Sequence, residues 1–181
     1  MKRIITIILI ITALLFTGCS KENKGGSNMH SIVSLDTNMG EIQIELFDDT
    51  MPITAGNFKK LVSDGFYDGI IFHRVIPNFM IQGGDPTGTG MGGPGYNIKD
   101  EFTQNNKNDR GTIAMANSGP NTGGSQFFIN TKNNNFLDTK HPVFGKVIKG
   151  MDVVDAISNT ARNSQDRPLK DVIIKKAKII K

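Results

Sequence analysis

Apolar and polar residues alternate along much of the chain after residue 30, with the period of two that is typical of half-buried strands. The clearest run is 41–46, in which every second residue is Ile or Leu and the others are Glu or Gln. A second run, 32–35, is separated from it by the turn-forming residues 37–40. The pattern therefore predicts a β-hairpin.

Further short apolar runs predict strands over 70–76, 79–82, 112–116, 126–130, 143–147 and 172–180. Apolar residues at helical spacing between Ala55 and Val62 predict a first helix, which begins at Pro52 with a capping side chain in 49–51 and stops at Gly65. A second helix is predicted over 152–158. Two helices among about eight strands indicate a barrel or sandwich, not alternating βαβ units.

The N-terminus has a different pattern from the rest of the chain. A basic start is followed by an apolar stretch over 4–16, which is shorter than the roughly 20 residues of a bilayer span but suits a secretory signal. Phe16-Thr17-Gly18-Cys19 resembles the lipobox of bacterial lipoproteins, with Phe16 where that family usually has Leu. An uncleaved signal anchor, or an ordinary signal with a chance cysteine, is the alternative.

The lipobox resemblance divides the chain into three parts. It implies a signal peptide over 1–18 and a lipidated Cys19 that opens a polar tether over 19–30, and the strand pattern that follows predicts a folded domain over 31–181. The protein would then be extracytoplasmic and anchored to a bacterial membrane through its lipid.

Composition narrows the possible partners. Cys19 is the single cysteine, so no intrachain disulfide can form. The formal charge of +4 falls to +2 once Lys2 and Arg3 are removed with the leader, which gives no case for a nucleic-acid partner. The C-terminal lysines alternate with Ile and Val, as on the solvated side of a strand. We expect a monomer.

Three motifs point to other chemistry and are set aside. Residues 88–93 match GxGxxG, but Pro94 follows where a dinucleotide-binding loop requires a helix, so we predict a surface loop. Ser125, Asp138 and His141 could be written as a hydrolytic triad, yet nothing like a nucleophile elbow surrounds the serine. The three histidines lack metal-ligand spacing, so neither metal nor cofactor is predicted.

The most informative stretch is FHRVIPNFMIQGGD, residues 72–85, which sets Arg74 and Gln82 among apolar side chains without Asp, Glu or Cys between 72 and 82. It is followed by MANSGPNTGGSQFFIN, residues 115–130, and FLDTKHPVFGKV, residues 136–147. With these three motifs in this order, the chain resembles the cyclophilin-type peptidyl-prolyl cis-trans isomerases from about residue 31 to its end.

The resemblance implies a mainly β fold, an eight-stranded antiparallel barrel capped by two α-helices, with a proline-binding groove on its outer surface. Arg74 would be catalytic and Gln82 its hydrogen-bonding neighbour. The implied substrate-binding residues are Phe79, Met80, Ala116, Asn117, Gln126, Phe128, Phe136, Leu137 and His141. Phe136 stands where many members carry Trp, so we expect weakened cyclosporin binding because the indole N–H is missing.

The physics of the reaction agrees with this residue set. Twisting an X–Pro amide breaks a resonance worth a barrier of about 18–20 kcal/mol, and a permanent cation can favour the twisted form without nucleophile, base or metal. We therefore expect an isomerase acting on proline-containing segments of unfolded or secreted proteins. A tethered binding module without useful turnover, or a surface-adhesion lipoprotein, are the competing hypotheses.

Several residues keep a structural alternative. Arg74 could be an ordinary surface ion-pair partner, and strict alternation would place Phe79 in the core, opposite Met80 and Gln82. Phe127 is predicted to be core and His73 to be structural.

Overall fold

The computed structural model describes residues 30–181, so the predicted signal peptide, Cys19 and the tether up to residue 29 lie outside the described residues. Between residues 30 and 181 the chain forms eight strands and two α-helices. Paired strands are antiparallel. The predicted mainly β architecture is confirmed. In this part of the chain, none of the helices has the length and apolar character needed to cross a bilayer.

The strands are β1 (Ile32–Thr37), β2 (Gly40–Leu46), β3 (Arg74–Ile76), β4 (Met80–Gly83), β5 (Thr112–Met115), β6 (Phe127–Asn130), β7 (Val143–Lys149) and β8 (Ile174–Ile179). The helices are α1 (Pro52–Ser63) and α2 (Met151–Ser158), with a 3₁₀ turn at Asn135–Leu137. The sheet runs in the order β3-β4-β6-β5-β7-β2-β1-β8. It curls until Ile71, ahead of β3, bridges Ile173, ahead of β8.

The hairpin prediction is confirmed, but the prediction of one continuous strand over 70–76 is wrong. Only Arg74–Ile76 joins the ladder of β4. Ahead of it, the amide of Phe72 donates to the carbonyl of Val172, and the amide of Ile174 donates to the carbonyl of Ile70. This segment is used to close the curled sheet, which a local pattern of apolar residues does not reveal.

Aromatic side chains fill the interior of the curled sheet. Phe58 of α1 lies with its ring centroid 5.2 Å from that of Phe144 and 5.4 Å from that of Phe127. Tyr67 adds a ring 5.6 Å from Phe127, and its hydroxyl donates to the carbonyl of Ser125. Phe127 is fully buried, as predicted. Interlocked rings of this kind leave the barrel walls little freedom to shift.

The N-terminus of α1 is capped in a way the sequence does not predict. We expected a local capping side chain, but Met51 occupies the N-cap position and makes no side-chain cap. Instead the carboxylate of Glu101, far along the chain, accepts hydrogen bonds from the amides of Ile53 and Thr54 at 3.1 and 3.0 Å. The prediction of a cap in 49–51 was wrong because a distant loop supplies the acceptor.

Replacing Glu101 with Ala should lower the free energy of unfolding by about 1 kcal/mol, since two amides at the helix start lose their acceptor and the helix dipole loses a negative charge. Urea denaturation checks this. Glu101→Gln is the matched control, because it keeps an acceptor and removes only the charge, so it should lose less. Equal midpoints for wild type and Glu101→Ala would show that the contact does not stabilise the helix.

Candidate functional site

A single row of side chains crosses the outer face of the sheet. The pairing register sets Arg74 opposite Gln82, and Gln82 opposite Phe128. The row continues through Ala114 to Val143. Because opposed residues in antiparallel strands carry their side chains on the same face, the cation, the amide and the aromatic ring are neighbours. The intervening residues, such as Ile81 and Phe127, face the core and are fully buried, so the alternation is complete on both faces.

Around this row lies a second apolar cluster, separate from the interior core. Its buried members are Met80, Ala114, Phe128 and Val143, and partly buried side chains pack against them, among them Phe79, Ala116 and Leu137. Five of the predicted groove residues are therefore brought together. They form an apolar surface beside Arg74 and Gln82.

Phe79 belongs to this cluster although strict alternation would have placed it in the core. It precedes β4 and follows Asn78, whose φ of 56° lies in the left-handed region. The turn between β3 and β4 therefore resets the direction of the chain, and the alternation of β4 begins only at Met80. The core alternative for Phe79 is wrong for this reason.

Phe136 and His141 stand at the edge of the cluster. The ring of Phe136 is 70% exposed and stacks nearly parallel on that of Phe79, with centroids 6.0 Å apart. The imidazole of His141 meets Phe128 edge-on at 5.3 Å, and its Nδ1 lies 3.1 Å from the carbonyl oxygen of Met115. A hydrogen bond there fixes the plane of the imidazole ring against the aromatic floor.

Arg74 is directed outward and its side chain remains 44% exposed. Its Nε lies 3.8 Å from Oδ2 of Asp166, which is beyond hydrogen-bond distance, while the other oxygen of that carboxylate is 3.2 Å from Nε of Arg162. The acid that the sequence did not place near Arg74 is therefore present, but it is shared with a second arginine. The guanidinium retains donors that face away from this contact.

Gln82 is bonded differently from the expectation. Its Nε2 donates to Oε1 of Gln126 at 3.0 Å, and the hydrogen bonds of the described residues include none between Gln82 and Arg74. Both hydrogens of the Gln126 amide donate in turn to the carbonyls of Gly90 and Gly92. The two amides therefore connect the row to the glycine-rich loop, beside a polar cavity of about 470 Å³ that they help to line.

The GxGxxG segment is a loop organised around a buried carboxylate, and no helix begins at its last glycine, so the expectation of a surface loop is confirmed. Asp85 accepts hydrogen bonds from the amides of Thr87, Thr89 and Gly90. Burial by itself would raise the pKa of Asp85, but these donors hold it well below its usual range. A side chain at Gly92 would collide with this carboxylate, so the close wrap requires glycine there.

Other residues singled out in the sequence form hydrogen bonds within the protein. The side-chain amide of Asn117 donates to the carbonyl of Lys140 at 2.8 Å, and Ala116 lies beside it with its amide bonded to the carbonyl of Gln126. Ser125 is buried and donates to the carbonyl of Gly84, which removes the hydrolytic triad from consideration.

His73, next to Arg74 in sequence, is buried, as expected for a structural residue. Burial lowers the pKa of His73 below its ordinary value, which keeps the imidazole neutral. The cluster therefore does not gain a second positive charge from this neighbour.

Two contributors near the site were missed by the sequence analysis. Asp166 approaches Arg74 from a loop 92 residues further along the chain, and no local pattern marks it. Asn134 donates from its side chain to the carbonyl of Phe79 at 2.8 Å. The concentration of asparagine at 105–108 and 133–135 was the available signal for the latter.

An eight-stranded antiparallel barrel with an apolar groove beside an arginine on its outer face is suited to binding a peptide segment, and comparison with known proteins identifies the family. The model of the cyclophilin type peptidyl-prolyl cis-trans isomerase family matches residues 32–179. The chain therefore belongs to the cyclophilin family of peptidyl-prolyl cis-trans isomerases.

Individual relatives agree with this assignment. The chain is 46% identical over 156 residues to peptidyl-prolyl cis-trans isomerase-like 1 of Emericella nidulans, covering 84% of this chain and 96% of that protein. It is 48% identical over 151 residues to peptidyl-prolyl cis-trans isomerase CYP18-1 of Arabidopsis thaliana, covering 81% and 94%. A solved cyclophilin type isomerase of Cryptosporidium parvum, crystallised in the presence of the dipeptide Ala-Pro, superimposes with a TM-score of 0.80 at 38% identity, covering 83% and 99%.

The neighbouring carboxylate should have little effect on catalysis. We expect Asp166→Asn to change kcat/KM for an X–Pro peptide by less than about fivefold, because exposed ion pairs contribute roughly 0.2–1 kcal/mol. Asparagine suits the test, since Asp166 has a φ of 62° and Asn tolerates that region. Exchange spectroscopy measures the rate. A loss of more than about tenfold would indicate that the carboxylate orients the guanidinium.

Proposed function

We propose that Arg74 accelerates X–Pro isomerisation by stabilising the twisted prolyl amide, while the apolar cluster around Phe128 holds the proline ring. The observation that carries the proposal is the shared row of Arg74, Gln82 and Phe128 on one face of the sheet. In this proposal a proline ring seated on Phe128 presents its nitrogen to an always-protonated donor.

The proposed chemistry follows from how the amide changes during rotation. In the planar amide the nitrogen lone pair is delocalised and is a poor acceptor, whereas in the twisted amide it returns to the nitrogen. A donor aimed at that nitrogen therefore binds the twisted form more strongly than either planar form, and only such differential binding raises kcat. Shortening tens of seconds to milliseconds requires about 5.5 kcal/mol.

The apolar cluster has a different task in this proposal. It buries the pyrrolidine ring to a similar extent in the cis, twisted and trans forms, so it supplies affinity without changing the barrier. Such uniform binding appears in KM and not in kcat.

Removal of the guanidinium should reduce turnover far more than affinity. We expect Arg74→Ala to lower kcat by about 10²–10³-fold, by analogy with the loss of a single donor to a developing charge, with KM changed little. Arg74→Lys should recover part of the loss, since it restores the charge without the planar fan of donors. Exchange spectroscopy on an X–Pro peptide, with line shapes to separate affinity from turnover, checks both.

Arg162→Ala is the matched control, because it removes the other guanidinium bound to Asp166 and lies outside the row. Its activity should stay within about twofold of wild type. Equal exchange rates for wild type and Arg74→Ala at unchanged peptide affinity would favour the competing hypothesis, in which the groove is a binding module without useful turnover.

For the location, we propose that the domain works outside a bacterial cytoplasmic membrane, tethered through a lipid on Cys19. The support is the sequence alone: a basic start, the apolar stretch over 4–16, and Phe16-Thr17-Gly18-Cys19. The family match begins at residue 32, so the relatives named above, from a fungus, a plant and a protist, do not bear on the leader. Clients would then be proline-containing segments of secreted proteins.

Lipoprotein processing predicts a defined N-terminus. After expression in a bacterial host, intact mass analysis should find a chain that begins at Cys19 and carries diacylglycerol, in the membrane fraction. Cys19→Ser should lose the lipid, because the acceptor thiol is missing. A wild-type chain that retains residues 1–18, or that starts at an unmodified Cys19, would exclude the anchor while leaving the isomerase assignment intact.

A further inference from the structure

Four buried asparagines form a continuous hydrogen-bonded network beside the groove. Asn106, Asn108, Asn130 and Asn134 are exposed by no more than 8%. None of them belongs to the row of Arg74, Gln82 and Phe128, and only the bond from Asn134 to Phe79 was described above. Buried side-chain amides are costly unless their donors and acceptors are paired, so a set of four requires a physical account.

One half of the network, formed by Asn130 and Asn134, begins next to Phe128 in the groove. Asn130 follows Phe128 by two residues on β6, so both side chains point to the outer face, and its Cα partner is Met80. Its Oδ1 accepts from Nδ2 of Asn134 at 2.8 Å, and the same Nδ2 donates to the carbonyl of Phe79. The network is therefore attached to the aromatic wall of the groove.

The other half, formed by Asn108 and Asn106, reaches the loop that carries Leu137 and His141 on the other side of the groove. Nδ2 of Asn130 donates to Oδ1 of Asn108 at 3.2 Å, and Nδ2 of Asn108 donates at 3.2 Å to the carbonyl of His141. Asn106 donates to that carbonyl and to the carbonyl of Asp138, and its Oδ1 accepts from the amide of Val143. These bonds hold the segment that follows Leu137, from Asp138 to Val143.

The two walls are thus joined by side-chain amides, in addition to the main-chain bond from the amide of Thr131 to the carbonyl of Phe79. Phe79 lies on the turn before β4, and Leu137 lies in a 3₁₀ turn that begins after Asn134, so neither is held by a strand pair. The amide of Asn134 also donates to the carbonyl of Asn108 at 2.7 Å, which closes the network on itself. The distance between Phe79 and the 137–141 loop depends on these contacts.

We propose that this asparagine network is a positioning device that sets the width of the proline pocket, with Asn134 and Asn130 as its central members. The inference builds on the proposed function, because it assumes that the cluster around Phe128 receives the proline ring. Since the network acts on the pocket and not on Arg74, its loss widens the binding site and leaves the catalytic donor in place.

The test separates affinity from turnover. In Asn134→Ala, the carbonyl of Phe79 loses one of its two donors and Oδ1 of Asn130 loses its donor, so we expect KM and the peptide dissociation constant to rise by about tenfold. The on-enzyme isomerisation rate should stay within about twofold, because Arg74 is unaffected. Line-shape and exchange spectroscopy on an X–Pro peptide give both quantities.

Two controls distinguish positioning from general stability. Asn105→Ala removes an exposed asparagine next to the network and should change neither quantity. Ile157→Val thins the core at α2 and should lower the unfolding midpoint without a change in KM. If Asn134→Ala does not fold at 25 °C, Asn106→Ala, at the outer end of the network, is measured in its place with the same expectation of a higher KM.

The possible outcomes are distinct. A higher KM at unchanged turnover in the asparagine variant, with both controls as expected, supports the positioning role. An unchanged KM with a lower unfolding midpoint, as in Ile157→Val, would overturn it and leave the network as ordinary core. Failure of the proposed function is separately visible, because it is Arg74→Ala, not the asparagine variants, that would then keep the wild-type rate.

Discussion

The pairing register of β3, β4, β6 and β5 is the constraint on which the site depends. It aligns Arg74, Gln82, Phe128 and Ala114 across four strands, and a shift of one residue would turn all four side chains into the core. Such a shift is opposed from inside, because Ile81 and Phe127 would then leave the aromatic interior. Packing of the interior core thus keeps the side chain of Arg74 on the surface. The same packing stabilises the fold and sets the geometry of the site.

Features that repeat along the sequence were predictable, and features that depend on contacts between distant segments were not. The hairpin of β1 and β2, the end of α1 near Gly65 and the burial of Phe127 follow from local periodicity. The cap of α1 by Glu101 and the bonds of Phe72 and Ile70 to the segment before β8 link parts of the chain with no common local pattern. The three sequence motifs named the groove residues, but only through resemblance, since alternation alone would have placed Phe79 in the core.

Three polar groups at the edge of the site are satisfied by the protein itself. Asp85 accepts hydrogen bonds from loop amides. The side-chain amide of Gln126 donates to two carbonyls of the glycine-rich loop, and that of Asn117 donates to the carbonyl of Lys140. Groups already bonded in this way cost little to bury and move little when a peptide arrives. Arg74 differs from these groups. Its side chain is half-exposed, and its Nε lies 3.8 Å from a shared carboxylate, which is too far for a hydrogen bond.

This contrast explains why two kinds of support meet at one groove. Backbone pairing holds Arg74, Gln82 and Phe128, so any sequence that forms the same ladder holds them alike. Phe79 and Leu137 lie on turns outside the ladder. In our proposal the hydrogen bonds of asparagine side chains hold these turns in position. Substitutions in the ladder should therefore disturb the row and the fold together, whereas substitutions in the proposed asparagine network should act on the pocket walls and leave the row in place.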